Sequence, residues 1–154
     1  ILSMLDALTA FEAHGPVTLG LNGNEANILA RLTGLGEAAT EADECLRLAG
    51  ELRVHLRLAH VIIHRNRFAV AAGSDSRGII RGPHCARPRK STGAGDRFNA
   101  GYILGLLAGG TLEDCLVLGS ATAGYFVRQA RSASRSELQE FLRTWEHQTS
   151  AAQD

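Results

Sequence analysis

The sequence is short of several features that would commit it to a specialised class. Lys and Arg together number 16, and so do Asp and Glu, so the formal net charge is zero. No global electrostatic pull toward nucleic acid or an anionic membrane follows from that balance. Aromatic residues are few, with five Phe, two Tyr and one Trp, which leaves little for stacking on unpaired bases. The reading is therefore no nucleic-acid partner and no membrane partner. Three cysteines, Cys45, Cys85 and Cys115, lie far apart and form no CxxC pair. Neither a zinc site nor a disulfide framework is indicated, and buried or half-buried free thiols in a reducing cytoplasm are expected. No apolar run approaches the ~20 residues needed to span a bilayer; the longest, Tyr102 to Ala108, is far shorter. Internal repeats and low-complexity segments are missing as well.

What is present is ordinary for a globular domain. The chain has 154 residues, 45% hydrophobic and 21% charged, enough for one domain with a real core. It begins in mid-pattern at Ile1-Leu2-Ser3-Met4-Leu5, with no initiating methionine and no charged leader. The expectation is a piece of a longer protein, without a signal peptide.

Along the chain, Leu2, Leu5, Leu8 and Phe11 fall at helical spacing before Gly15-Pro16. Residues 17–21 read as a short strand ending at Asn22-Gly23-Asn24-Glu25, and residues 26–32 as a helix. Thr40 with Asp43 resembles a capping box opening a further helix with Leu46, Ala49 and Leu52. Residues 58–64 are apolar on both faces and rich in β-branched side chains, the pattern of a buried strand. Arg65-Asn66-Arg67 turns the chain into a second strand over 68–72, and a loop over 73–78 leads to a third at Ile79-Ile80-Arg81. Residues 82–92, with Pro83 and Pro88, read as an extended connector. A helix over 95–108 is apolar nearly all round and is expected to be buried, with Gly101 and Gly105 admitting a close neighbour. Thr111-x-x-Asp114 and Ser134-x-x-Glu137 open two more helices, the second carrying Leu138, Phe141, Leu142 and Trp145 as core. From Thr149 the tail is small, polar and expected to fray. Helices alternating with short buried strands indicate an α/β layered fold.

The stretch with chemical content is Lys90 to Ile103. The small-residue turn Thr92-Gly93-Ala94-Gly95 runs straight into a helix, so backbone N–H groups face outward at a helix N-terminus where the macrodipole favours an anion. Asp96 stands at the rim of that turn. A carboxylate beside an anion site suits phosphoryl transfer to a hydroxyl, where positioning and charge stabilisation supply most of the catalysis. The same residues would also serve as a plain tight loop with a first-turn helix acid. Arg81, Arg87, Arg89, Lys90 and Arg97 cluster in sequence around the turn, as a nucleotide-attracting patch or as a solvated basic face. His60 and His64 share a strand face with no third metal ligand in view, the pattern of core or surface histidines.

Residues 91–103 resemble the second signature of the PfkB/ribokinase family of carbohydrate kinases, through the glycine turn, the aspartate and Phe98-Asn99-Ala100-Gly101. Asn22-x-x-Glu25, directly after a strand, is similar to a motif that lies upstream of the signature in that family. The resemblance covers essentially the whole chain and implies a ribokinase-like three-layer α/β/α fold. Residues 1–154 would be its C-terminal half, with the nucleotide-binding part, and the sugar-binding residues and lid would lie in an absent N-terminal half. It further implies an ATP-dependent phosphotransferase using Mg2+ and acting on a sugar, nucleoside or similar small alcohol, cytoplasmic, with a homodimer allowed in the full-length protein. Asp96 would be the base, and Gly93, Ala94 and Gly95 the anion hole. Asn22 and Glu25 would organise the magnesium-bound phosphates, Glu25 through water. Thr92, His64, Arg65 and Ser120 complete the implied nucleotide contacts. A carboxylate at a helix N-terminus is a weak base, which suffices for a loose transition state needing little early deprotonation. Asn22 and Glu25 would equally cap the helix that starts there.

The sequence departs from the family at two places. His64-Arg65-Asn66-Arg67 stands where relatives show a glycine-containing nucleotide turn, and Lys90 stands where many have an acid linked to a monovalent-cation site. These departures sustain a rival reading, a non-catalytic nucleotide- or phosphate-binding module. An ammonium at position 90 would replace the monovalent ion or abolish its binding. Phosphoryl transfer by the full-length protein is therefore expected to be independent of potassium, and a rate that climbs steeply when potassium replaces sodium would overturn this.

Overall fold

The computed structural model describes residues 2–36 and 40–150, and the chain divides into two compact units, Ile1–Arg81 and Gly82–Asp154. The first runs α1 (Leu2–Phe11), β1 (Thr18–Asn22), α2 (Gly23–Thr33), α3 (Ala42–Leu56), β2 (His60–His64), β3 (Phe68–Ala72) and β4 (Arg77–Arg81). Its sheet has the order β1-β2-β3-β4. β1 and β2 are parallel, joined by the crossover through α2 and α3, with Asn22 opposite His64. β2, β3 and β4 form an antiparallel meander.

β1 and β2 begin later than their apolar runs suggest, because the preceding backbone is already engaged. Arg57 closes α3 in the left-handed region, and the Leu58 N–H donates to the Arg53 carbonyl. The Glu12 carboxylate accepts the N–H of Val17 at 2.9 Å and of Ala59 at 3.0 Å. One side chain thereby holds the entrances to both parallel strands, and β2 proper starts at His60. β4 starts at Arg77, two residues before the expected strand, since the Gly73 N–H closes a tight turn on the Ser76 carbonyl. Val61, Ile63, Val70 and Ala72 join the core built with α3, through Leu48, Ala49 and Leu52. Ile62, Ala69 and Ala71, on the alternate positions, are buried too, as a run apolar on both faces requires.

α2 starts three residues earlier than its apolar pattern, at Gly23, because Asn22 and Glu25 form a reciprocal capping box. The cap expected from Thr40 and Asp43 is displaced. The Glu44 carboxylate accepts the N–H of Thr40 at 3.0 Å and of Glu41 at 3.2 Å, and α3 opens after Glu41.

The second unit is helical. An extended connector, pinned where the Arg89 N–H donates to the Val127 carbonyl at 2.8 Å, leads to α4 (Ala94–Leu107), α5 (Leu112–Gln129) and α6 (Arg135–Ser150). Both later caps form as their spacing predicts. Thr111 and Asp114 exchange hydrogen bonds, as do Ser134 and Glu137. The Arg131 guanidinium beside Glu137 holds that carboxyl well below the usual range. α6 continues through Thr149 and Ser150 rather than fraying there; the rest of the polar tail lies outside the described residues. Its apolar stripe, Leu138, Phe141, Leu142 and Trp145, is half-buried rather than core, with Phe141 edge-on to Tyr125 at 6.0 Å.

α4 corrects one expectation. Phe98, Gly101, Tyr102 and Gly105 are buried, yet Ile103 and Leu104 are about half exposed and Leu107 is 82% exposed. An all-round apolar helix carries no sequence signal for a preferred face, and the glycines choose one. A side chain at Gly101 would lie 2.6 Å from the Leu118 carbonyl oxygen, and one at Gly105 2.8 Å from Cys115 Cα. Gly119 on α5 meets the Phe98 carbonyl in the same way, at 3.0 Å. Gly101→Ala should therefore cost roughly 1–3 kcal/mol in urea unfolding through overpacking against backbone. Gly15→Ala, where an added Cβ meets nothing within 4 Å, should change stability by less than about 1 kcal/mol.

Candidate active site

The turn before α4 is set by Gly93, whose φ of 89° lies in the left-handed region that glycine adopts without strain. The Ala94 N–H donates to the Ser91 carbonyl at 3.0 Å, and the Arg97 N–H to the Gly93 carbonyl. Among the described residues the N–H groups of Gly95 and Asp96 have no backbone acceptor. The N–H groups that the turn leaves unused are thus those of Gly95 and Asp96, whereas that of Ala94 is already taken. The Asp96 side chain is exposed in the first turn of α4. One of its carboxylate oxygens lies 3.9 Å from where a Cβ on Gly93 would stand, so the carboxylate overhangs the turn. Thr92, exposed, completes it.

Beneath the turn lies a residue that no local pattern indicates. The Phe126 ring, on α5 and 3% exposed, packs 3.7 Å from the Cβ position of Gly93. Lys90 and Arg97 both stand over this ring, at 5.6 and 4.9 Å from its centroid. Ser120 is buried nearer the start of the same helix. Only contact across more than twenty residues joins Phe126 to the turn, so no motif could have found it.

In the first unit, Asn22, Glu25, His64 and Arg65 come together where β1 and β2 end. Asn22 Oδ1 accepts the N–H of Asn24 and of Glu25, and Glu25 Oε2 accepts the Asn22 N–H at 2.7 Å. Glu25 is exposed, and among the described residues its other carboxylate oxygen takes no hydrogen bond. The Arg65 guanidinium lies against Gly23, its Cζ 2.6 Å from where a Cβ would be. It also bonds the buried Cys45 thiol, whose pKa burial pushes up and Arg65 pulls partly back. Arg65 is therefore an anchor of the first turn of α2, a role invisible in His64-Arg65-Asn66-Arg67 as a string. Among the described residues no three His, Cys, Asp or Glu side chains are grouped to hold a metal ion, and no helix is long and apolar enough to cross a membrane.

Residues 1–145 match the sequence model of the prokaryotic ketohexokinase family. The chain belongs to that family. A ketohexokinase from Haloferax volcanii is 28% identical over 137 residues, covering 89% of this chain and 35% of the relative. Phosphofructokinase-2 from Escherichia coli, crystallised with substrates and products, superposes with a TM-score of 0.71 at 20% identity over 91% of this chain and 45% of its own. Ribokinase from Thermotoga maritima gives 0.64 at 21% identity, over 82% and 42%. The fold is thus ribokinase-like α/β, and the chain spans about a third of the curated relative and under half of the solved ones.

In this ketohexokinase-family chain both strand histidines have a pKa below the ordinary imidazole value. Burial lowers the pKa of His64, against an opposing pull from Glu25, and lowers that of His60, against Glu12. In the unfolded chain both return to about 6.5. Between that value and the lowered one the unfolded state binds more protons, so stability is fully present above about pH 6.5 and falls as pH drops toward the folded-state values. Urea midpoints should therefore decline from pH 7.5 to 5.5, and His64→Gln should flatten that decline. An unchanged slope in the variant would show that His64 is not its source.

Proposed function

We propose that this chain is the part of an ATP-dependent sugar kinase that carries the catalytic base and the phosphate-side contacts, with a ketohexose as the first acceptor to test. The observation that carries the reading is the position of the Asp96 carboxylate. It stands exposed over a left-handed glycine turn, next to two helix N-terminal N–H groups with no backbone acceptor. A hydroxyl placed at that carboxylate and a γ-phosphoryl group at those amides would lie side by side. Asp96 would take the hydroxyl proton as the oxygen–phosphorus bond forms. The Gly95 and Asp96 amides, where the Gly93–Gly95 turn runs into the helix, would hold the developing charge on the transferred group.

Magnesium fits the residues of the first unit in one mode. Glu25 commits Oε2 to the Asn22 N–H and leaves one oxygen for a water of an ion that keeps most of its hydration and binds through phosphates. Asn22 would hold Glu25 in place, and His64, Arg65, Thr92 and Ser120 remain the proposed nucleotide-side residues. When bound, the ion neutralises charge on the donor phosphates. The kinase domain is proposed to extend beyond these 154 residues, since the matched relatives are more than twice as long. The sugar-binding residues would lie outside this chain.

Two measurements test the proposal. The isolated chain should show no turnover of fructose with ATP and magnesium. In a full-length enzyme containing this chain, Asp96→Asn should lower kcat about a thousandfold and leave ATP affinity nearly unchanged. Near-normal kcat in that variant would remove Asp96 as the base.

A further inference from the structure

Among the described residues of the second unit, four cations pack on aromatic rings, and two of them are spent on structure. Arg128, 5.3 Å from the Phe141 centroid, donates to the carbonyls of Pro83, His84 and Gly124. Arg131, 5.5 Å from the Tyr125 centroid, pairs with Glu137 and donates to the Ser132 carbonyl. Lys90 and Arg97 differ. Arg97 donates Nε to Ser132 Oγ at 2.9 Å. Among the described residues, its terminal nitrogens and the Lys90 ammonium have no acceptor, and neither side chain forms an ion pair. Asp96, next to Arg97 in the chain, is not bonded to it.

Two like charges on one ring repel each other, and the ring quadrupole offsets that repulsion only in part. The arrangement is nevertheless anchored. Phe126 is buried and packed on Gly93, Ser132 holds the inner nitrogen of Arg97, and the Lys90 N–H reaches the Val127 carbonyl at 3.4 Å. Two anchored cations with unused donors, beside a turn with unused amides, make a multi-point receptor for a chain of anionic groups.

We propose that Lys90 and Arg97, carried on Phe126, form a polyphosphate-binding pair that grips the donor nucleotide at the turn. The inference rests on the kinase reading above and adds to it two side chains that the glycine turn itself does not require. The guanidinium fork would take one phosphate through two donors, and the ammonium would act on the next as a point charge.

Calorimetric titration of the 154-residue chain with inorganic tripolyphosphate tests this without any need for turnover. The wild-type chain should bind, more weakly as ionic strength rises. Lys90→Gln and Arg97→Gln should each raise Kd about tenfold at unchanged thermal midpoint, with Arg97→Lys recovering part of the loss. Phe126→Leu should weaken binding too, by removing the platform while both charges remain. Asp96→Asn should leave Kd unchanged or lower it, because a neighbouring negative charge is gone. Equal Kd in wild type, Lys90→Gln and Arg97→Gln would overturn the pair while leaving the role of Asp96 intact. Absence of binding by the wild-type chain at millimolar tripolyphosphate would overturn it as well. The kcat of Asp96→Asn in a full-length enzyme judges the kinase reading separately.

Discussion

The close approach of α4 to α5 is the contact on which the second unit depends. Three glycines make it possible, and the carbonyls of Leu118 and Phe98, with the Cys115 backbone, occupy the volume their side chains would take. Backbone against backbone leaves little room for sliding or rotation, since the contacts are short and the atoms cannot change rotamer. That contact carries the start of α4 to the Phe126 end of α5. The turn, the exposed Asp96 and the two ring-borne cations all follow from it.

Capping organises the first unit in a comparable way. Asn22 ends a strand and starts a helix, so one residue fixes where β1 stops and α2 begins. Parallel pairing with β2 brings His64 opposite it, and Arg65 then closes against Gly23 and reaches Cys45. The capping interaction and the proposed phosphate-side role are compatible, because the cap uses one carboxylate oxygen of Glu25 and leaves the other. A carboxylate held this way is also preorganised, which a freely rotating glutamate is not.

Much of this was legible in the residues. The glycine turn with its aspartate, the Asn-x-x-Glu after a strand and two of the three capping boxes are local devices, and each formed where its spacing put it. The third cap slipped by one residue, because Glu44 reaches farther than Asp43 and both satisfy the same pattern. Strand limits slipped where Glu12 and the end of α3 had already claimed the backbone N–H groups. The exposure of Leu107 was not legible, since an all-apolar helix does not say which face it will bury. Nor was the linkage of Phe126, Lys90 and Arg97, or of Arg65, Gly23 and Cys45, because each joins residues far apart in the chain.

The sequence by itself determined the family, the α/β order of elements, and the positions of Asp96, Asn22 and Glu25. Those features depend on interactions between residues a few positions apart, which the chain carries wherever it goes. Only the tertiary structure decided that the Phe126 ring packs beneath the turn and that Arg65 anchors a helix. It also decided that Lys90 and Arg97 meet on one ring with donors to spare. These outcomes depend on which distant backbone arrives at each polar group, and packing alone settles that.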